Sequence, residues 1–152
     1  MALIIFGGLG FAILAEILHR QKRKKFSLSA IIVLKVSFFL LILGMIVITA
    51  VEWNNPETLG HLNTGERVMA GGFLSTTART AGFNTIDTSL WQRSTILFVL
   101  FLMFIGASPG STGGGIKTTT FAIIVISIRS FVSGRRDMEI WDWRISVNYP
   151  RL

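Results

Sequence analysis

The chain has 152 residues, 51% of them hydrophobic and 15% charged, with a formal net charge of +7. With a mean hydropathy of +0.60, that balance excludes an ordinary soluble domain and points to a membrane protein. The basic residues flank apolar runs and build no separate aromatic-interleaved surface, so no nucleic-acid partner is expected. The lack of cysteine excludes disulfides and thiolate metal sites within the chain.

Met1 to Leu18 is apolar apart from Glu16 and reads as the last helix of a preceding repeat, with Met1 the point where a fragment starts. Within it, Gly7-Gly8-Leu9-Gly10 fails the dinucleotide spacing, because Ile13 stands where Gly or Ala is needed. Close helix packing through small residues is expected there instead. His19 to Phe26 carries five Lys or Arg. Such a patch suits anionic lipid or a cytosolic partner, but its simplest reading is the positive-inside signal of a cytoplasmic loop over 19–29. Residues 30–51 form the first full span of the repeat. Lys35 sits near its inner end, where its side chain can snorkel to the headgroups.

Residues 52–90 change character and read as an external loop. Trp53 is placed as an interfacial anchor, and Asn63-Thr-Gly-Glu66 has the spacing of a capping box for a helix running through about Ser75. That helix is too short to span. The irregular Thr76-to-Asp87 segment follows at once, between two spans, which is the pattern of a re-entrant pore loop. Thr80-Ala81-Gly82-Phe83-Asn84 has the content for binding a dehydrated cation. Glycine frees the backbone to aim carbonyls at the pore axis, small residues precede it, and an aromatic braces the wall. One such loop completes only part of a ring.

Residues 91–129 form the second span, broken at 106–115. As one helix, Thr95 to Ile128 would measure roughly 50 Å, against about 30 Å of bilayer hydrocarbon. Gly106-Ala107-Ser108-Pro109-Gly110-Ser111-Thr112-Gly113-Gly114-Gly115 cannot stay helical. A kink needs only one Gly or Pro, so the loop is longer than packing alone requires. Two chemistries compete for it. The stretch from Gly110 to Thr118 is similar to a phosphate-binding loop, but Ile116 separates the last Gly from Lys117 and no buried strand precedes it. The alternative is a mobile plug beneath the filter, with Lys117 beyond it to repel a cation or to anchor the loop. Arg129, Arg135 and Arg136 then begin a second basic cluster, and 130–152 reads as a cytoplasmic linker.

Ala78 to Thr85 and Gly106 to Thr120 together resemble the third repeat of the potassium-translocating membrane subunit of bacterial Ktr systems, in the Trk/Ktr/HKT superfamily. The likeness covers almost the whole chain. It implies an all-α membrane protein built from helix–re-entrant pore loop–broken helix repeats, four in one polypeptide around one pore, of which this chain is a part. It implies a non-enzymatic function in potassium uptake across the bacterial plasma (inner) membrane, by a multi-pass protein. Thr80 to Asn84 would then form a quarter of the selectivity filter, with K+ at Thr80, Ala81 and Gly82. Residues 106–115, with Lys117, would be the intramembrane gating loop. No cofactor is implied beyond the transported K+, with Na+ as a coupling ion in many members. The implied partners are membrane lipid, a second copy in a homodimer, and a ring of cytosolic nucleotide-binding regulatory subunits. The other three filter loops are expected in a longer parent. Two other readings remain open from the residues, a membrane-embedded nucleotide-binding protein using Gly110 to Thr118 and a non-conducting truncated scaffold.

Overall fold

The computed structural model describes residues 1–19, 26–79, 81–133, 138–140 and 143–145. Most of the basic run in 19–29, Thr80 and most of 130–152 beyond residue 133 lie outside the described residues. The described chain is helical, in the order α1 (Ala2–Leu9), α2 (Phe11–Leu18), α3 (Leu28–Glu52), α4 (Thr64–Thr77), α5 (Arg93–Phe104) and α6 (Thr118–Val132). Two three-residue strands, β1 (Met138–Ile140) and β2 (Trp143–Ile145), pair antiparallel with Met138 opposite Ile145. This small ladder in the linker departs from the all-helical expectation.

Helix α3 organises the rest. It has 25 residues, and an 18-residue stretch within it has a mean hydropathy of 2.9, long and apolar enough to cross a membrane. The Ser27 hydroxyl caps its start by accepting from the Ala30 amide at 3.2 Å. Val33, Ser37, Leu40, Gly44 and Ile48 recur at three- and four-residue spacing and form its buried stripe. Phe38, Phe39 and Ile46 on the remaining surface are exposed. Large apolar residues thus lie on both the buried and the exposed faces of α3, with Ser37 and Gly44 among the buried ones, a pattern that suits contact with lipid.

Against that stripe pack α4, α5 and α6. Helix α4 opens with the capping box read from the sequence, Asn63 and Glu66 exchanging side-chain and backbone bonds. It approaches α3 through glycine. A Cβ on Gly71 would stand 2.0 Å from Thr49 Oγ1, and one on Gly44 2.3 Å from Ser75 Oγ. The closeness lets the Ser75 hydroxyl donate to the Leu41 carbonyl at 2.9 Å.

Two side chains order the segment that follows α3. Glu52, fully buried at the end of α3, accepts from Asn55 Nδ2 at 2.6 Å, Thr58 Oγ1 at 2.7 Å, the Gln92 amide at 2.9 Å and the Thr95 hydroxyl. A buried carboxylate is tolerated only when so paired, and the pairing ties α3 to the start of α5. Arg67 stacks over the Trp53 ring at 4.9 Å and donates to the carbonyls of Trp53, Gly60 and Leu62.

The stretch 1–18, expected as one helix, is divided at Gly10, whose φ of 82° and ψ of 149° end α1 and begin α2. Gly7 and Gly8 do not pack tightly; a Cβ on either would meet open space. Glycine serves here to break the helix.

Gly71→Leu is therefore expected to destabilise the α3–α4 pair by at least the 1–3 kcal/mol typical of overpacking. Thermal unfolding of the detergent-extracted protein would register it as a lowered midpoint. Gly65→Ala, where an added Cβ meets nothing within 4 Å, should leave the midpoint unchanged.

Candidate functional site

The expected filter segment leaves the C-terminus of α4 as irregular backbone. Thr80 lies outside the described residues. Ala81 is half-buried, whereas Gly82, Phe83 and Asn84 are exposed. Gly82 has φ of 74°, a left-handed conformation that costs residues with a Cβ about 1–2 kcal/mol. The space beside it is open, so glycine is required there by backbone angle rather than by crowding.

The turn is held by a residue that sequence reading passed over. Thr77 Oγ1 accepts from the Phe83 amide at 2.8 Å and donates to the Phe83 carbonyl at 2.6 Å. One hydroxyl thus closes the loop across six residues and engages the Phe83 oxygen within its wall. The local signal was only a pair of threonines at the end of a short helix, too common a pattern to single out.

The second segment, between α5 and α6, is ordered by backbone pairing. Ile105 and Ile116 form an isolated parallel bridge. The Gly106 amide donates to the Ile116 carbonyl and the Ile116 amide to the Phe104 carbonyl, each at 3.0 Å. Gly106, Ala107 and Ser108 are buried, while Pro109 and Gly110 at the tip are exposed. The neck admits no side chain at Gly106, because a Cβ there would lie 1.6 Å from the Gly114 carbonyl oxygen. Ser111 turns back onto the Ser108 carbonyl through its amide at 3.2 Å and its hydroxyl at 2.6 Å. Lys117 Nζ donates to the Gly113 carbonyl at 2.7 Å, a bond to its own loop. The phosphate-loop alternative finds a helix, α5, where that motif needs a strand, and a lysine bonded to its own loop.

Arg79, immediately before the expected filter, joins the two segments. Its Nη2 reaches the Gly106 carbonyl at 3.3 Å and Ser37 Oγ at 3.4 Å, and its Nη1 the Ser37 carbonyl at 3.4 Å. The guanidinium therefore bonds both to α3 and to the root of the second loop. A cavity of about 320 Å3 opens beside it, lined by Ala81 and Phe83 from the first segment and by Thr112 and Gly113 from the second. Gly7 and Gly8 of α1 complete part of the wall. Two stretches read separately from the sequence thus face one space.

Thr77→Val, nearly isosteric, should strand the Phe83 amide and carbonyl. Loss of such pairing costs about 1–3 kcal/mol, so amide exchange in 81–86 should quicken roughly ten-fold or more. Thr76→Val, whose hydroxyl serves only the Gly72 carbonyl within the same helix, should leave exchange in 81–86 unaltered.

Residues 1–148 match the family model described as TrkH, cation transport protein. The chain is 39% identical over 148 residues to the Ktr system potassium uptake protein B of Bacillus subtilis (strain 168), covering 97% of this chain and 33% of that relative. It is 38% identical over 153 residues to the protein of the same name from Vibrio alginolyticus, covering 99% of this chain and 33% of the relative. The potassium/sodium uptake protein NtpJ of Enterococcus hirae is 39% identical over 138 residues, 91% of this chain and 30% of that protein. The chain thus spans about a third of the length of the curated relatives it matches. It belongs to the TrkH family of cation transport proteins, membrane subunits of the Trk/Ktr type rather than enzymes.

Proposed function

We propose that the chain is one helix–pore loop–broken helix repeat of a potassium uptake protein. In this reading Thr80 to Asn84 line part of the selectivity filter and 106–115 form a barrier within the membrane. The observation that carries the proposal is the shared cavity. Ala81 and Phe83 stand on one side of it, Thr112 and Gly113 on the other, and Arg79 bonds to the root of the second loop. A cation shedding water at the first segment would meet the second within the same space. The relatives' names, potassium uptake and potassium/sodium uptake, support the substrate class.

The rest of the reading follows from this. The chain crosses the bacterial plasma membrane several times, with 19–29 and 130–152 on the cytosolic side and 52–90 outside. It works as part of a longer polypeptide whose other filter loops complete the ring, in a homodimer seated on a nucleotide-binding regulatory ring. Two of the relatives are named as Ktr system proteins, which supports partnership with further components. Potassium moves passively or with Na+ as a coupled ion.

Two experiments test the two assignments separately, each in the polypeptide that carries this chain and in cells deprived of other potassium uptake. Gly82→Ser must leave the left-handed backbone conformation or bear its strain, and should reduce the K+/Na+ preference by about ten-fold, on the order of 1.4 kcal/mol. An unchanged preference at normal protein levels would remove 80–84 from the filter. Deleting Ser111–Gly114 should raise rubidium uptake per molecule of protein. Equal or lower uptake by a protein that reaches the membrane intact would refute the barrier.

A further inference from the structure

We propose that the junction between α1 and α2 is a backbone clamp that holds the loop 106–115 in its blocking position, with Gly10 and Phe11 as positioning residues. The inference rests on the barrier reading of that loop. Breaking a helix at Gly10 releases main-chain groups that a continuous helix would have paired, among them the Gly8 carbonyl and the Phe11 amide. These two groups bond to the loop instead. The Ser108 amide donates to the Gly8 carbonyl at 3.1 Å, and the Phe11 amide donates to the Gly110 carbonyl at 3.2 Å.

Gly10 makes the exchange possible in two ways. Its φ of 82° with ψ of 149° is a conformation reserved for glycine. Its missing Cβ also leaves room for the loop, since a Cβ would stand 2.5 Å from the Pro109 carbonyl oxygen. The loop in turn presents an exposed tip at Pro109 and Gly110, with Gly110 in a left-handed conformation at φ of 72°. Each partner therefore gives up regular structure where the other supplies its hydrogen bonds. The loop leaves its seat only by losing both bonds. Held there, its Thr112 and Gly113 stay against the cavity that Ala81 and Phe83 line.

Proline at position 11 isolates the clamp. Phe11 is the first residue of α2, a position where proline fits a helix and where its missing amide serves no intrahelical bond. Phe11 is 80% exposed in this chain, and Phe11→Ala controls for any packing lost with the ring. In the polypeptide that carries this chain, Phe11→Pro should raise rubidium uptake per molecule by a factor of roughly two to twelve, the weight of one hydrogen bond on the closed–open balance. Phe11→Ala keeps the amide and should not raise it. With Ser111–Gly114 deleted, Phe11→Pro should add nothing further. Gly10→Ala carries the same test should proline deplete the protein from the membrane. If the deletion raises uptake but neither Phe11→Pro nor Gly10→Ala does, the clamp is refuted and the barrier stands. If the deletion itself fails to raise uptake, the barrier reading falls and the clamp with it. Loss of both junction variants from the membrane, with Phe11→Ala accumulating normally, assigns the junction to folding alone and overturns the proposal.

Discussion

Main-chain polar groups that leave a helix away from water must find other partners in the protein. Among the described residues, Gly10, 81–87 and 105–117 are segments of this kind. Each finds bonds outside the regular helical ladder. The first is paired to 108–110, the second is closed by the Thr77 hydroxyl, and the third is paired to its own neck and to the guanidinium of Arg79. The irregular segments therefore support one another, and the helices serve as the frame that brings them together.

That frame is apolar on its exposed surface as well as in its core. Ser37, Gly44 and Thr49 lie buried along α3, while Phe38, Phe39 and Ile46 lie outside. The same holds for α5 and α6, where Leu97, Leu100, Phe104, Ile128 and Phe131 are exposed. With lipid as apolar as the side chains, helices gain little from burying leucine against one another, and they associate by close approach and by hydrogen bonds. The glycines at 44 and 71 supply the approach, and Ser75 to Leu41 supplies a bond. Glu52 does at the end of α3 what no apolar residue does. A single carboxylate gathers four donors from 55, 58, 92 and 95 and joins α3 and α5 to the segment between them.

The legible parts of the fold were those governed by local rules. Helix α3 announced itself by apolar length, and the start of α4 by a capping box whose partners are three residues apart. The loop at 106–115 was legible because glycine and proline in such density forbid a helix whatever surrounds them. What escaped the sequence was decided at a distance. Gly10 reads like any small residue in an apolar helix, and its break becomes intelligible only through partners about a hundred positions away. Arg79 gave no sign that it would reach both Ser37 and Gly106. Thr77 was one threonine among several, and nothing local marks the one that folds back onto Phe83.

The pinched neck of the second loop limits how far its tip can travel. Gly106 and Gly115 press against each other, a Cβ on Gly115 falling 2.9 Å from Gly106 Cα and from Gly106 N, and the bridge between Ile105 and Ile116 closes the ring beneath them. While that collar stays shut, the tip is leashed at both sides to one point. Four extended residues reach about 13 Å at most, less than half the depth of a bilayer's hydrocarbon layer of about 30 Å. While the collar holds, an excursion on such a leash keeps the tip within that distance of it.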